Sequence, residues 1–141
     1  MPEYLEFARS HPLLVFGFLG VLGFIIWSEF ARLNRKYKQL GVNEAVRLLN
    51  DDNVFCLDVR EDKELDSGII KGARHIPVSQ LNSHLNELEK RKNDPVLVYC
   101  RSGSRSAHAC NTLAKQGFED VSNLAGGIIA WESANLPLAK R

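Results

Sequence analysis

The sequence predicts an α/β domain built on a mainly parallel sheet and preceded by one apolar helix long enough to cross a bilayer. Three observations carry this expectation. Short apolar runs such as Val54–Leu57, Val96–Tyr99 and Val121–Leu124 alternate with stretches of helical periodicity. No charged residue interrupts Pro12 to Trp27. The run Val96–Tyr99 delivers Cys100 into a small polar loop, Arg101-Ser102-Gly103-Ser104-Arg105, after which a helical pattern begins at Ser106.

From the N-terminus, residues 1–11 form a short segment of mixed character. Residues 12–30 are expected to form a transmembrane helix. About 18 residues at 1.5 Å each span about 27 Å, close to the thickness of a hydrocarbon core. His11 and Trp27 bracket the stretch, and Trp favours the membrane interface. Gly17, Gly20 and Gly23 are costly in an aqueous helix and tolerated in a membrane helix. A cleaved signal peptide fits less well. Glu3, Glu6 and Arg9 do not make a basic leader, and no small-residue cleavage site follows. A core helix of a soluble domain fits poorly because the stretch is apolar on all sides. Residues 31–36 are a basic juxtamembrane linker. Arg32, Arg35, Lys36 and Lys38 outnumber Arg9 on the other flank, so the positive-inside rule puts the N-terminus outside and the large domain in the cytoplasm, at the inner membrane. The same cations suit either anionic headgroups or plain solvent.

Residues 37–141 form the globular domain. Tyr37–Leu40 reads as a first strand. Asn43 is the expected cap of a helix from Glu44 to Leu49. Asp51-Asp52-Asn53 turns the chain into the strand Val54–Leu57, which ends at Asp58-Val59-Arg60. Glu61–Asp66 reads as one or two helical turns, broken by Ser67-Gly68. Ala73–Ile76 is a short strand closed by Pro77. Ser79 caps a helix to about Lys90, with Leu81, Leu85 and Leu88 on one side. After Asn93-Asp94-Pro95 comes the central strand Val96–Tyr99. The helix Ser106–Gln116 turns Ala107, Cys110, Leu113 and Ala114 inward and stops at Gly117. Val121–Leu124 is the last strand, and Ile128–Ser133 the last helix. Ligands of parallel sheets bind beyond the C-terminal strand ends, where Asp58 and Cys100 both lie.

A net charge of +1 gives no basic face for nucleic acid. The three cysteines include no C-x-x-C pair and no His/Cys spacing of a zinc site, so neither a metal nor a cofactor is expected. Cys56 and Cys110 sit in apolar patterns and read as core, which leaves one working thiol in a reducing compartment. A helix N-terminus, loop N–H groups and nearby arginines would lower the Cys100 pKa from about 8.5. The competing reading is a buried strand cysteine followed by an ordinary turn.

Taken together, Cys56-Leu-Asp-Val-Arg60, Gly68-Ile-Ile-Lys-Gly-Ala-Arg-His-Ile-Pro77, Val96-Leu-Val-Tyr-Cys-Arg-Ser-Gly-Ser-Arg-Ser106 and Gly126-Gly-Ile-Ile-Ala-Trp131 resemble a single-domain rhodanese, over about Tyr37 to Pro137. The layout is similar to that of small membrane-anchored bacterial rhodaneses. The resemblance implies a five-stranded mainly parallel sheet flanked by helices. It also implies a sulfurtransferase that moves sulfane sulfur from a donor such as thiosulfate to a thiol, cyanide or protein acceptor through a persulfide on Cys100. Arg101, Ser102, Gly103, Ser104, Arg105 and Ser106 would form the loop that holds substrate and persulfide, with Asp58 and Arg60 as the wall. Of the two loop arginines, Arg105 is the one expected to pair with Asp58. Arg60 is expected either to do the same, to contact substrate, or to make a surface ion pair. Ser106 either donates its hydroxyl to the site or caps the helix.

One departure is Gly68-Ile69-Ile70, where the family commonly has Gly-His-Ile; the change reads as structural. His75 reads as a turn or surface residue, and His84 and His108 as solvent-facing. Four residues separate Cys100 from Arg105, one fewer than in cysteine phosphatases, which argues for a cradle sized for one sulfur rather than a phosphate. A non-enzymatic membrane-anchored interaction module is the alternative, since fold alone does not guarantee activity.

Overall fold

The computed structural model describes residues 2–141. They fall into two compact units, one ending at Arg35 and one running from Lys36 to Arg141.

The first unit holds two helices, α1 (Glu3–Ser10) and α2 (Pro12–Leu33). The segment expected to be merely mixed is therefore helical, and it ends at His11, whose ring meets that of Phe7 at a tilt of 54° with 4.8 Å between centroids. Pro12 starts α2, where its missing N–H costs nothing. α2 has 22 residues, a mean hydropathy of 2.1 over its most apolar stretch and no buried side chain, so it is long and apolar enough to cross a membrane. It outlasts the expected end by three residues, through Leu33, and Arg32 in this extension pairs with Glu29 one turn earlier.

The second unit is a five-stranded, wholly parallel sheet in the order β1-β5-β4-β2-β3. Its strands are β1 (Lys38–Leu40), β2 (Phe55–Asp58), β3 (Arg74–His75), β4 (Val96–Tyr99) and β5 (Val121–Leu124). Four helices cover it: α3 (Val42–Leu49), α4 (Leu81–Leu88), α5 (Ser104–Lys115) and α6 (Gly127–Ser133). β4 lies in the middle and is buried along its whole length, as a strand covered on both faces must be. The period-two alternation of its side chains divides the core into two layers. Val96 and Val98 pack with Leu57, Leu88, Cys110 and Leu113 on one face. Leu97 and Tyr99 pack with Ala45, Cys56, Leu124, Ile128 and Trp131 on the other.

Several boundaries differ from the sequence expectation, for local reasons. Gly41, not Asn43, precedes the first turn of α3, because the turn begins as soon as β1 releases the chain. Val78–Gln80 forms a separate 3₁₀ turn before α4, which displaces Ser79 from the cap position. Gly103, in the left-handed region at φ 107°, precedes α5, so Ser106 lies inside its first turn rather than at its cap. Asp62–Ser67 is a 3₁₀ segment held by a capping box in which Glu61 and Glu64 exchange side-chain and backbone bonds. Ala107 and Ala114 are only partly buried; Ser106 and Ala109 take the inward positions instead.

The Gly68-Ile69-Ile70 stretch has a structural task. Ile69 bridges the C-terminal Ala139 through two backbone bonds of 2.8 and 2.7 Å. Ile70 is buried, and its N–H donates to the Tyr99 hydroxyl at 3.1 Å.

Candidate functional site

The site lies at the C-terminal end of the sheet, where β2 and β4 run side by side with Asp58 opposite Tyr99. Cys100 follows β4 directly and is fully buried. Its Sγ accepts the Gly103 N–H at 3.1 Å and lies 3.3 Å from the Ser106 hydroxyl. Burial alone would raise its pKa, but the Ser106 hydroxyl and the backbone N–H groups of Ser106, Gly103 and Ser102 outweigh burial and lower it. The first-turn N–H groups of α5 have no partner within the helix, so they are free to face the sulfur. Cys56 is pushed the other way, to about 12, by burial and then by the negative charge of Asp58. Burial raises Cys110 as well. The three thiols therefore separate into one stabilised as thiolate and two held as core.

The loop is fixed from behind by α6. The N–H groups of Ile128 and Ile129 donate to the carbonyls of Cys100 and Arg101 at 2.9 and 3.2 Å. Gly127 makes this approach possible: a Cβ there would stand 2.4 Å from the Arg101 carbonyl oxygen. The family resemblance covers Gly126-Gly127, yet composition alone gives no hint of this contact, because Cys100 and Gly127 are far apart in the chain.

The wall residues are arranged differently from expectation. Arg105 pairs with Glu64, not Asp58, through two bonds of 2.7 Å. Its side chain leaves the first turn of α5 toward the 3₁₀ segment after β2, and Glu64 is the carboxylate that segment presents. Asp58 instead receives Arg60: its Oδ2 lies 2.8 Å from Arg60 Nη2, and its Oδ1 takes both Nε and the Arg60 backbone N–H. This is no surface pair, since Arg60 is 2% exposed and Asp58 0%. The guanidinium also donates to the carbonyls of Gly68 and Glu64 at 2.8 and 3.2 Å and lies 5.7 Å from the centre of the Tyr99 ring. Burial works against the Arg60 charge, but the hydrogen bond and charge of Asp58 overcome it, and its pKa is raised. Such a pair is costly to break from one side.

Arg60, Lys63, Glu64, Arg101 and Ile129 line an open cleft of about 580 Å³ beside the loop. Arg101 is exposed there, and Asp58 is buried. Ser102 and Ser104 are exposed on the loop. His75 is partly buried against the Arg60 carbonyl, 2.5 Å from its Nε2, and His108 faces solvent. Sequence reasoning missed Glu64, and also Asn123, whose Nδ2 donates to the Gly103 carbonyl at 3.2 Å and to Gln39 Oε1 at 3.1 Å. Glu64 was legible only as the third residue of a capping box, and Asn123 lies inside a strand read as apolar. Among the described residues, no group of His, Cys, Asp and Glu side chains is placed to hold a metal.

Known proteins show the same fold. The chain is 32% identical over 141 residues to the uncharacterized protein YibN of Escherichia coli K12, with 99% of both chains covered. It is 39% identical over 92 residues to a sulfurtransferase of Allochromatium vinosum, covering 65% of this chain and 84% of that one. The solution structure of the polysulfide-sulfur transferase homodimer of Wolinella succinogenes superposes with a TM-score of 0.67 at 26% identity, covering 83% of this chain and 88% of the other. The sequence also matches the family described as rhodanese-like domain over residues 41–134. With the parallel sheet and the cysteine loop at its C-terminal edge, these matches place the chain in the rhodanese-like domain family.

Proposed function

We propose that the protein is a membrane-anchored sulfurtransferase that carries sulfane sulfur on Cys100. The observation that supports this most directly is the sulfur at the base of converging donors: the Gly103 N–H at 3.1 Å and the Ser106 hydroxyl at 3.3 Å, with the thiol pKa lowered by them. In the proposed cycle the Cys100 thiolate attacks the outer sulfur of a donor such as thiosulfate. The donor S–S bond breaks, sulfite leaves with the electron pair, and Cys100–S–S⁻ forms. The charge now rests on the outer sulfur, where the loop amides from Ser102 to Ser106 stabilise it as an oxyanion hole stabilises oxygen. A cyanide or thiol acceptor then attacks that sulfur and releases the Cys100 thiolate. Arg101, exposed on the cleft that Lys63 also lines, draws in the anionic donor against the carboxylates of Glu64, Asp66 and Glu132 on the same cleft. Arg105 is neutralised by Glu64 and serves the loop's shape, and Asp58 and Arg60 form the rigid wall. Relatives named sulfurtransferases support the same reading.

The anchor is α2, and residues 37–141 form the domain it tethers to the inner membrane. Four cations on its C-terminal flank against Arg9 on the other favour a cytoplasmic domain with the N-terminus outside. Trypsin is expected to digest the domain in inside-out vesicles and to spare it in right-side-out ones; the reverse pattern would refute the orientation.

The function is tested by treating the full chain with thiosulfate and weighing the Cys100 peptide by mass spectrometry. Wild type is expected to gain one sulfur atom and to lose it to cyanide as thiocyanate, while Cys100→Ser does neither. Thiocyanate formed at the wild-type rate by Cys100→Ser would remove Cys100 as carrier. A wild-type peptide that gains no sulfur from thiosulfate or polysulfide would leave the domain as a docking module.

A further inference from the structure

Behind Cys100 lies a buried polar relay that the sulfur cycle above does not use. Ser106 Oγ has three neighbours able to accept its hydrogen: Cys100 Sγ at 3.3 Å, the Gly103 carbonyl at 3.1 Å and Asn123 Oδ1 at 2.5 Å. A hydroxyl has only one hydrogen to give. The orientation of Asn123 decides where it goes. Asn123 Nδ2 donates to the Gly103 carbonyl at 3.2 Å and to Gln39 Oε1 at 3.1 Å. A carbonyl cannot donate, so turning the amide over would set oxygen against oxygen at Gly103. Asn123 Oδ1 therefore faces Ser106 as a pure acceptor, and at 1% exposure it has no water to replace the Ser106 hydrogen.

We propose that Asn123 is a positioning residue that competes with the Cys100 sulfur for the single Ser106 hydroxyl hydrogen. With Cys100 as a thiol, every group is satisfied: S–H donates to Ser106 Oγ, and O–H donates to Asn123 Oδ1. When the thiol proton passes to solvent, the thiolate needs the Ser106 hydrogen, and turning it toward sulfur strands Asn123 Oδ1 in the core. Asn123 thus withholds one donor from the thiolate and keeps it more basic and more nucleophilic than its cradle would otherwise make it. In a persulfide the charge moves to the outer sulfur, so the hydroxyl returns to Asn123 without penalty. The relay favours the loaded carrier over the free thiolate. This role in the cycle rests on the sulfurtransferase reading, whereas the competition itself concerns only the cysteine.

The register places these groups without strain. Gln39 sits opposite Asn123 across the β1–β5 ladder, so the relay runs from the edge strand to the sulfur. The charged or titratable groups around Cys100 are Arg101 in the loop, Arg105 and Cys110 on α5, Glu64 on the 3₁₀ segment, the Asp58–Arg60 pair after β2, and Tyr99 on β4. None of them bonds to the Ser106 or Asn123 side chains among the described residues.

The test is the pH profile of Cys100 alkylation by iodoacetamide in the full chain, read peptide by peptide so that Cys56 and Cys110 do not contribute. Asn123→Leu keeps the branching at Cγ in a bulkier side chain and removes the acceptor together with the Nδ2 donor to Gly103 and Gln39, and the profile midpoint is expected to fall by about one pH unit, a tenfold change in thiolate fraction below the midpoint. Asn123→Asp tightens the hold on the Ser106 hydrogen and adds negative charge, so its midpoint is expected to rise. It carries the test alone if the leucine variant does not fold. An Asn123→Leu midpoint that stays or rises, or an Asn123→Asp midpoint that stays or falls, overturns the proposal. Because the readout needs no sulfur donor, a chain that fails to load sulfur would refute the proposed function and leave this measurement intact.

Discussion

Replacing Glu64 with Gln removes the carboxylate that holds Arg105 and keeps the side-chain length. The pair is bidentate, and the Glu64 and Arg105 side chains are 20% and 33% exposed. The Arg105 hydrogen bond is the main cause that holds the Glu64 carboxyl down, from 4.5 to about 2; burial opposes it, and the Glu61 N–H and the charges of Arg105 and Arg60 assist. By linkage, a displacement of that size corresponds to at most about 3 kcal/mol. Solvent reaches a third of Arg105 and screens the pair, which brings the expected contribution to about 1–2 kcal/mol. The sign follows from the depressed carboxyl. Its contribution is complete above the unfolded pKa and is lost as pH falls through the folded one. The wild-type chain is therefore expected to be more stable than Glu64→Gln by about 1–2 kcal/mol near pH 7, with the difference closing as pH falls from 4.5 to about 2. Urea titration of the full chain in a neutral detergent, followed by circular dichroism, measures both ends of that range. No difference near neutrality, or an equal one below the folded pKa, would refute the assignment of Glu64 as the partner that neutralises Arg105.

Two further substitutions probe the frame of the loop. Arg60→Met leaves Asp58 buried without its counter-charge and is expected to cost about 3–5 kcal/mol in the same titration; adding Asp58→Asn should recover part of it, and a single variant as stable as wild type would contradict the buried-pair geometry. Gly127→Ala places a methyl against the Arg101 carbonyl, with an expected cost of about 1–3 kcal/mol; faster hydrogen exchange at the Ile128 and Ile129 amides and slower sulfur loading should accompany it, and unchanged exchange would show that α6 does not clamp the loop.

The elements closest to the chemistry were the easiest to read. Val96–Tyr99 is apolar without a break and is followed by Cys100 and a Ser/Gly run, so strand, nucleophile and helix opening follow from local chemistry. The uncharged stretch after His11 is equally plain, because a bilayer-length helix is a property of composition. Cys56 and Cys110 read as core for the same reason. Partner choice was not legible. Asp58 is the partner the sequence suggests for Arg105, and only the path of the 3₁₀ segment puts Glu64 within its reach while Arg60 curls back onto Asp58. The sequence leaves Ser106 as either a site donor or a helix cap, and the left-handed turn at Gly103 starts the helix two residues earlier and brings the hydroxyl to 3.3 Å from the sulfur.

The sequence by itself determined the class of fold, the apolar helix and the identity of the one thiol set in a polar loop. These depend on periodicity, hydropathy and residue type, which act over a few neighbouring positions. Tertiary structure alone decided how that thiol is tuned. Asn123 comes from β5, Glu64 from the segment after β2 and Gly127 from the start of α6, and they meet the Cys100 loop, with Gln39 of β1 behind Asn123, only because the parallel sheet brings these strand ends together. Hydrogen bonds and ion pairs act over about 3 Å, so their partners are set by where the folded backbone places each side chain rather than by spacing along the chain.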